Sequence, residues 1–283
     1  MMRRALCAAS LLFCLVSGVA AEERADKNGY NLFRPVPFEL MREITTDRPD
    51  KTESPITVDA GHFQIETDIV NYTSDRSPQE KNEALAVAAT NFKIGVLNNV
   101  DLQVIVESYD WMRTKDFKTG QAHSASGFGD VTLRLKTNFW GNDGGQTAFG
   151  MMPFVKIPTG GDALGNGAVE GGVILPLLVR LPSEWELGTM VEVDQARNSA
   201  ADGYHQEFIY SITIGHDIAR NFDGYVELFS NVSNEAHSAW VVSVDCGVGY
   251  RITPNVQLDA GVNIGLTEAA DDFNPFIGLS LRY

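Results

Sequence analysis

Cysteine is scarce. The 283-residue chain has three, and Cys7 and Cys14 fall at its extreme start, so Cys246 stands alone in everything that follows. With no partner it can form no internal disulfide, which excludes a small secreted domain stapled by bridges. Long apolar runs are missing too. Past residue 21 nothing approaches the roughly 18 consecutive apolar residues that a membrane helix needs. Positive charge is in deficit: 22 Lys and Arg against 37 Asp and Glu leave a formal net charge of −15, which argues against a nucleic-acid partner. No helical period of any strength runs through the chain.

What the sequence does have begins with an export signal. Arg3 and Arg4 precede an apolar run over residues 5–16 and small residues at 17–21, the three parts of a secretory signal peptide, so residues 1–21 are expected to be removed. Residues 22–60 show no sustained period and are broken by Pro35, Pro37, Pro49 and Pro55. They read as an irregular periplasmic segment. An exported chain without a membrane helix is either soluble or a barrel.

From residue 61 to residue 283 the chain alternates. In its clearest stretch Leu258, Ala260, Val262, Ile264 and Leu266 share one face, while Gln257, Asp259, Gly261, Asn263 and Gly265 share the other. That is a strand with one apolar and one wet side. The pattern repeats in about twelve strands, at roughly 61–73, 83–97, 100–113, 127–140, 145–158, 168–181, 184–197, 204–218, 222–235, 238–252, 255–267 and 272–283. Tight turns at 98–99, 141–144, 182–183, 219–221 and 253–255 take turns with longer polar connections at 74–82, 114–126, 159–167, 198–203 and near 236. Short turns at one end and long loops at the other mark an antiparallel transmembrane β-barrel in the bacterial outer membrane, its short side periplasmic. Aromatic positions agree. Phe139, Trp185, Phe222, Tyr250 and Tyr283 face outward beside the short turns, and Tyr204, Trp240 and Phe273 beside the long loops, with aliphatic residues between. Outer-membrane lipid is therefore an expected partner. One strand, 168–181, is apolar on both faces and interrupted by Pro176, which suggests a lumen filled there by side chains or by the N-terminal segment.

Three stretches carry a family resemblance. Thr46-Asp47-Arg48-Pro49-Asp50-Lys51-Thr52-Glu53-Ser54-Pro55, leading into Gly61-His62-Phe63-Gln64-Ile65-Glu66, resembles the opening motif of the transporter-like outer-membrane family named after the meta-pathway of phenol degradation. Gly127-Phe128-Gly129-Asp130 and Lys156-Ile157-Pro158-Thr159-Gly160 are similar to the same family. The resemblance implies a porin-like barrel described as a transporter or channel. It implies no catalytic residues.

The inward face is charged. Alternation places Glu66, Asp68, Asp101, Glu107, Asp130, Glu170, Glu186, Glu192, Asp194, Glu207, Asp223, Glu227, Asp245 and Asp259 in the lumen, against Lys93, Arg134, Lys136, Lys156, Arg180, Arg251 and Arg282, acids outnumbering bases about two to one. Paired, such groups brace a barrel; in excess, carboxylates admit cations and repel anions. Tyr225, Phe229, Phe154, Phe276 and Ile209 also point inward, either filling space or lining an apolar patch. About twelve strands leave a narrow or partly plugged interior. The expected function is a pore or transporter for passive or facilitated uptake of a small solute, cationic or aromatic, with an outer-membrane enzyme or a mainly structural barrel as alternatives. Nothing in the spacing of the five histidines converges on a nucleophile and an acid, and His123, His205 and His237 read as solvated loop residues. No enzyme activity, cofactor or metal is expected. Asp47, Arg48, Asp50, Lys51 and Glu53, just ahead of the first strand, can reach inward, either as a plug held by lumen charges or as a solvated leader.

Overall fold

A computed structural model describes residues 26–161, 164–165 and 167–283; the signal-peptide reading of residues 1–21 lies outside them. A 3-10 turn at Phe38–Leu40 comes first. The strands then follow as β1 (Phe63–Arg76), β2 (Glu80–Val87), β3 (Thr90–Leu97), β4 (Val100–Val106), β5 (Tyr109–Asp116), β6 (Ala122–Gly127), β7 (Val131–Trp140) and β8 (Thr147–Ile157). They continue as β9 (Glu170–Arg180), β10 (Trp185–Arg197), β11 (Tyr204–Ala219), β12 (Phe222–Ser233), β13 (Val241–Thr253), β14 (Val256–Gly265) and β15 (Phe273–Arg282). Each pairs antiparallel with its neighbour, and β15 returns to β1, with Gln64 opposite Arg282 and Ser74 opposite Phe273. The sheet closes on itself.

The closed ring has 12 strands: β1, β3, β4 and β7 to β15. β2, β5 and β6 are upward continuations of the wall, separated from β3, β4 and β7 by breaks at residues 88–89, 107–108 and 128–130. The lower half of β1 pairs with β3 and its upper half with β2, so the break runs across neighbouring strands as one crease. Above it β2, β5 and β6 form a flap. Residues 114–126, expected to be a loop, are largely the tip of this hairpin, with Asp110 opposite Gly127 and Lys115 opposite Ala122. Outside the bilayer neither face must be apolar, so backbone pairing continues where the hydrophobic alternation lapses.

The two faces separate as the pleat requires. Outward side chains include Leu133, Leu135, Val191, Val193, Ile212, Ile214, Val226 and Leu228, all exposed on the wall. Phe139, Trp185, Tyr250 and Tyr283 ring them at one end and Tyr204, Trp240 and Phe273 at the other, again exposed. Among the described residues no helix is long and apolar enough to cross a membrane. The crossing is made by strands. Inside, the largest fully buried side chains include Lys136, Gln64, Gln103, Glu227, Asp101 and Asp245. One apolar cluster joins them: Met152, Ile174, Met190 and Ile209, with Phe154 and Phe229 against it. This explains the doubly apolar β9, which turns Ile174 and Pro176 into the filled lumen and Val173 and Leu175 out to lipid.

Candidate functional site

The lumen is occupied by the chain's own N-terminal segment. Residues 56–60 are buried against the short-turn rim, where the Thr57 N–H donates to Asn142 Oδ1 (3.0 Å) and the Val58 N–H to Asp101 Oδ2 (3.0 Å). Lys27 and Arg42 fasten the part that stays at the rim, each reaching Asp143, at 2.9 and 3.0 Å, and Asp59, at 3.2 Å. Burial alone would raise the Asp143 carboxyl, but hydrogen bonds from Lys27 and Asn98 and the charge of Arg42 hold it below its ordinary value. From there residues 44–55 rise into the barrel and return.

Nearly every charge on that loop meets its opposite on the wall. Asp47 accepts from Lys136 at 2.5 Å and from Lys93, while its N–H donates to Glu66 Oε2 at 3.0 Å. Arg48 spans Asp68 (2.6 Å) and Asp259 (2.8 Å), and Glu53 pairs with Arg134. Lys51 Nζ lies 3.2 Å from Asp245, and the Lys51 N–H and the Thr52 hydroxyl donate to Glu227 at 2.9 and 2.5 Å. Inward aromatic rings serve the same cations. Arg48 stands 5.6 Å from the centroid of Phe276, Lys51 4.5 Å from that of Phe229, and the Tyr225 hydroxyl donates to the Pro49 carbonyl at 3.3 Å. A cation over an aromatic face gains from the ring quadrupole.

Asp50 is the exception. It faces Glu227, whose charge adds to burial in pushing the Asp50 carboxyl well above its ordinary range; a hydrogen bond with Thr213 only partly offsets them. Burial likewise raises Glu53 in spite of Arg134. At Asp47 the balance is reversed: burial would raise it, but Lys136 and Lys93 together hold it below the ordinary carboxylate range.

Of the inward residues singled out from sequence, Glu66, Asp68, Lys93, Asp101, Arg134, Lys136, Glu227, Asp245 and Asp259 all touch residues 47–58 of this segment. Glu107, Asp130, Glu192, Asp194 and Arg282 sit elsewhere. Glu107 and Asp130 sit at the crease, where the Asp130 N–H donates to Glu107 Oε2 (2.9 Å) and the Gly160 N–H to Asp130 Oδ1 (2.9 Å). Glu192 and Asp194 lie side by side further up β10, where Asp194 borders a cavity of about 340 Å³ toward the long loops. Arg282, an expected partner for Asp47, Asp50 or Glu53, is held at the rim, 3.9 Å from Asp59 of the segment. It donates to the Arg42 carbonyl (2.8 Å) and to Asn255 Oδ1 (2.8 Å). Ser211, Ser243, Gln257 and Asn138, uncharged and inward, also contact the segment.

The outer cavity also holds His205, which is buried rather than solvated. Its ring nitrogens lie 3.2 Å from Asn198 Oδ1 and 3.2 Å from Glu207 Oε1, while the neighbouring Ser199 hydroxyl is bound to Glu235 (3.0 Å). A base engaged by amide and acid, with the hydroxyl bound elsewhere, is not a nucleophile pair.

Residues 46–283 match the family described as "Putative MetA-pathway of phenol degradation". The chain belongs to it. Among solved structures, this family member is similar to the COG4313 outer membrane channel from Pseudomonas putida F1, at 12% identity and a TM-score of 0.57, over 84% of this chain and 100% of that one. At that identity the likeness shows the fold, an outer-membrane barrel. The NanC porin (11% identity, TM-score 0.48, 77% of this chain and 98% of that one) overlaps more loosely. So does the translocator domain of the autotransporter NalP from Neisseria meningitidis (8%, 0.47, 78% and 88%). No curated protein matches the chain.

Proposed function

We propose that this barrel is a narrow outer-membrane pore for a small solute, closed at rest by residues 44–60. The carrying observation is the seating of residues 47–53, charge against charge, on β1, β3, β7, β12, β13 and β14. A solvated leader has no reason to match its charges to the wall, and a purely structural barrel could fill its interior with apolar side chains at less desolvation cost. Charged contacts that can be exchanged for water suit a part that must leave.

The solute on this reading is small and preferentially cationic. The outer cavity is bordered by Glu170, Asp194, Glu207 and Glu235 against Lys156 and Arg197, an acidic excess that draws cations and repels anions. Conductance in a planar bilayer tests both halves. The full chain should pass little current, deletion of residues 22–55 should leave an assembled barrel of larger conductance, and a salt gradient across it should give a cation-selective reversal potential. Unchanged conductance in the truncated barrel overturns the closure, and anion preference overturns the solute class.

A further inference from the structure

Two phenylalanines stand out of the N-terminal segment where it lies on the short-turn rim. Phe33 is at the tip of a tight turn closed by reciprocal backbone hydrogen bonds between Asn31 and Arg34 (3.0 Å each), and is 91% exposed. Phe38 opens the 3-10 turn and is 72% exposed. A ring in water forgoes the transfer free energy of its whole apolar area. A loose tail could fold such rings away. These are held out, because the Leu32 N–H donates to the Val96 carbonyl (2.8 Å) and the Val36 N–H to the Ala60 carbonyl (3.0 Å).

The same anchors hold both rings at the short-turn rim, where the lipid-facing wall ends. Asn31 bridges to Leu97, an exposed residue at the end of β3. Phe38 packs edge-on against His62 with centroids 5.5 Å apart, and His62 Nδ1 lies 3.0 Å from the carbonyl of Tyr283, next to the outward Phe63. Phe33, Phe38, Phe63, Leu97 and Tyr283 therefore line one stretch of rim, along the seam of β15, β1 and β3. Arg34 stands over the ring of Tyr30 at 5.4 Å, beside Phe33. Aromatic rings and long cations are the side chains that settle at headgroup level, apolar part down and polar end in water.

We infer that residues 30–40 are a membrane anchor, with Phe33 and Phe38 inserted in the phospholipid interface on the short-turn side. A bilayer is the occupant because the patch is continuous with a surface that already faces lipid. The anchor is independent of whether the barrel conducts.

Depth measurement by spin labelling tests it. The exported chain from residue 22, with Cys246 changed to Ser, is labelled with a nitroxide at Phe33→Cys or Phe38→Cys and reconstituted in phosphatidylethanolamine–phosphatidylglycerol vesicles. Phe63→Cys serves as a lipid-facing control and Lys118→Cys, in the flap turn, as an aqueous one. Labels at 33 and 38 should collide with oxygen several-fold more often than with a water-soluble nickel chelate, as at 63. The control at 63 also reports that the barrel is assembled. If 33 and 38 behave like 118 while 63 stays lipid-facing, the anchor is refuted, and the patch belongs to a protein on the periplasmic side.

Discussion

Lys136 of the barrel wall donates to Asp47 of the threaded segment across 2.5 Å, and the two side chains are only 1% and 6% exposed. Lys93 holds the other Asp47 oxygen and Glu66 completes the group. Removing one member of a buried pair costs about 3–5 kcal/mol, because the remaining charge is left dry and unpaired. Asp47→Asn leaves the Lys136 ammonium with the Ile56 carbonyl (3.3 Å) but without its carboxylate, whereas Lys93 keeps Glu66. Lys136→Met leaves Asp47 with Lys93. Both should loosen the segment and Asp47→Asn should loosen it more, read as faster tryptic cleavage after Lys51 in the assembled barrel. Equal protection in all three proteins would mean that the pair does not hold the segment.

Two inward glycines make room for the segment at different costs. A Cβ on Gly95 would lie 2.1 Å from the Asp59 carbonyl oxygen, and one on Gly278 would lie 2.1 Å from a guanidinium nitrogen of Arg48. A backbone carbonyl cannot step aside, but the end of an arginine can. Gly95→Ala should therefore lift the rim of the segment at an overpacking cost of about 1–3 kcal/mol, and Gly278→Ala should be milder. Thermal stability of the detergent-solubilised protein and cleavage after Lys51 should rank them in that order.

The ring of strands was legible because a barrel between lipid and lumen imposes opposite chemistry on successive residues, as from Gln257 to Leu266. The flap was not, because β5 and β6 rise beyond the breaks at 107–108 and 128–130 to where no face need be apolar. The breaks themselves are tertiary: the backbone at Asp130 turns in to bond Glu107, and nothing local announces that. Within the segment, composition showed charges of both signs but not their partners. Asp47 with Lys136 and Arg48 with Asp259 join residues far apart in sequence, whose meeting depends on barrel register. Arg282 sits at the rim, a level too low for Asp47, and so takes Asn255 and the Arg42 carbonyl. His205 looked solvated because its burial comes from Asn198, Glu207 and Glu235, on three different parts of the outer wall.

The lipid face gives a test of the wall itself. Leu228, midway along β12, is 47% exposed on the outside, while its neighbour Glu227 is 1% exposed within. Leu228→Arg puts a charge against hydrocarbon near the bilayer midplane, a cost of about 2–4 kcal/mol. Asn263→Arg, on the lumen side and bonded to Asn274 at 2.6 Å, enters a polar interior and should cost much less. Urea titration in lipid vesicles compares them, and equal costs would contradict the assignment of faces.

Closure should depend on pH, with its sign set by Asp47, Asp50 and Glu53. Free in water, all three carboxyls titrate at about 4. Seated, Asp47 is held below that range despite burial, by Lys136 and Lys93, so its contribution is present above about pH 4 and is lost as pH falls through it. Asp50 and Glu53 are raised by burial, with Glu227 adding to the effect at Asp50. They bind protons more tightly seated than free, so they favour seating at low pH and oppose it progressively once pH climbs past about 4. Above that point Asp47 no longer changes, and Asp50 and Glu53 set the trend. Conductance of the full-length barrel should therefore rise as pH climbs above about 4. Asn in place of Asp50 can still bond Thr213 but cannot ionise beside Glu227, so Asp50→Asn should flatten the rise and keep the pore closed at the alkaline end. The barrel lacking residues 22–55 should show neither effect. A rise of the same slope in Asp50→Asn would assign the titration to the wall instead of the segment.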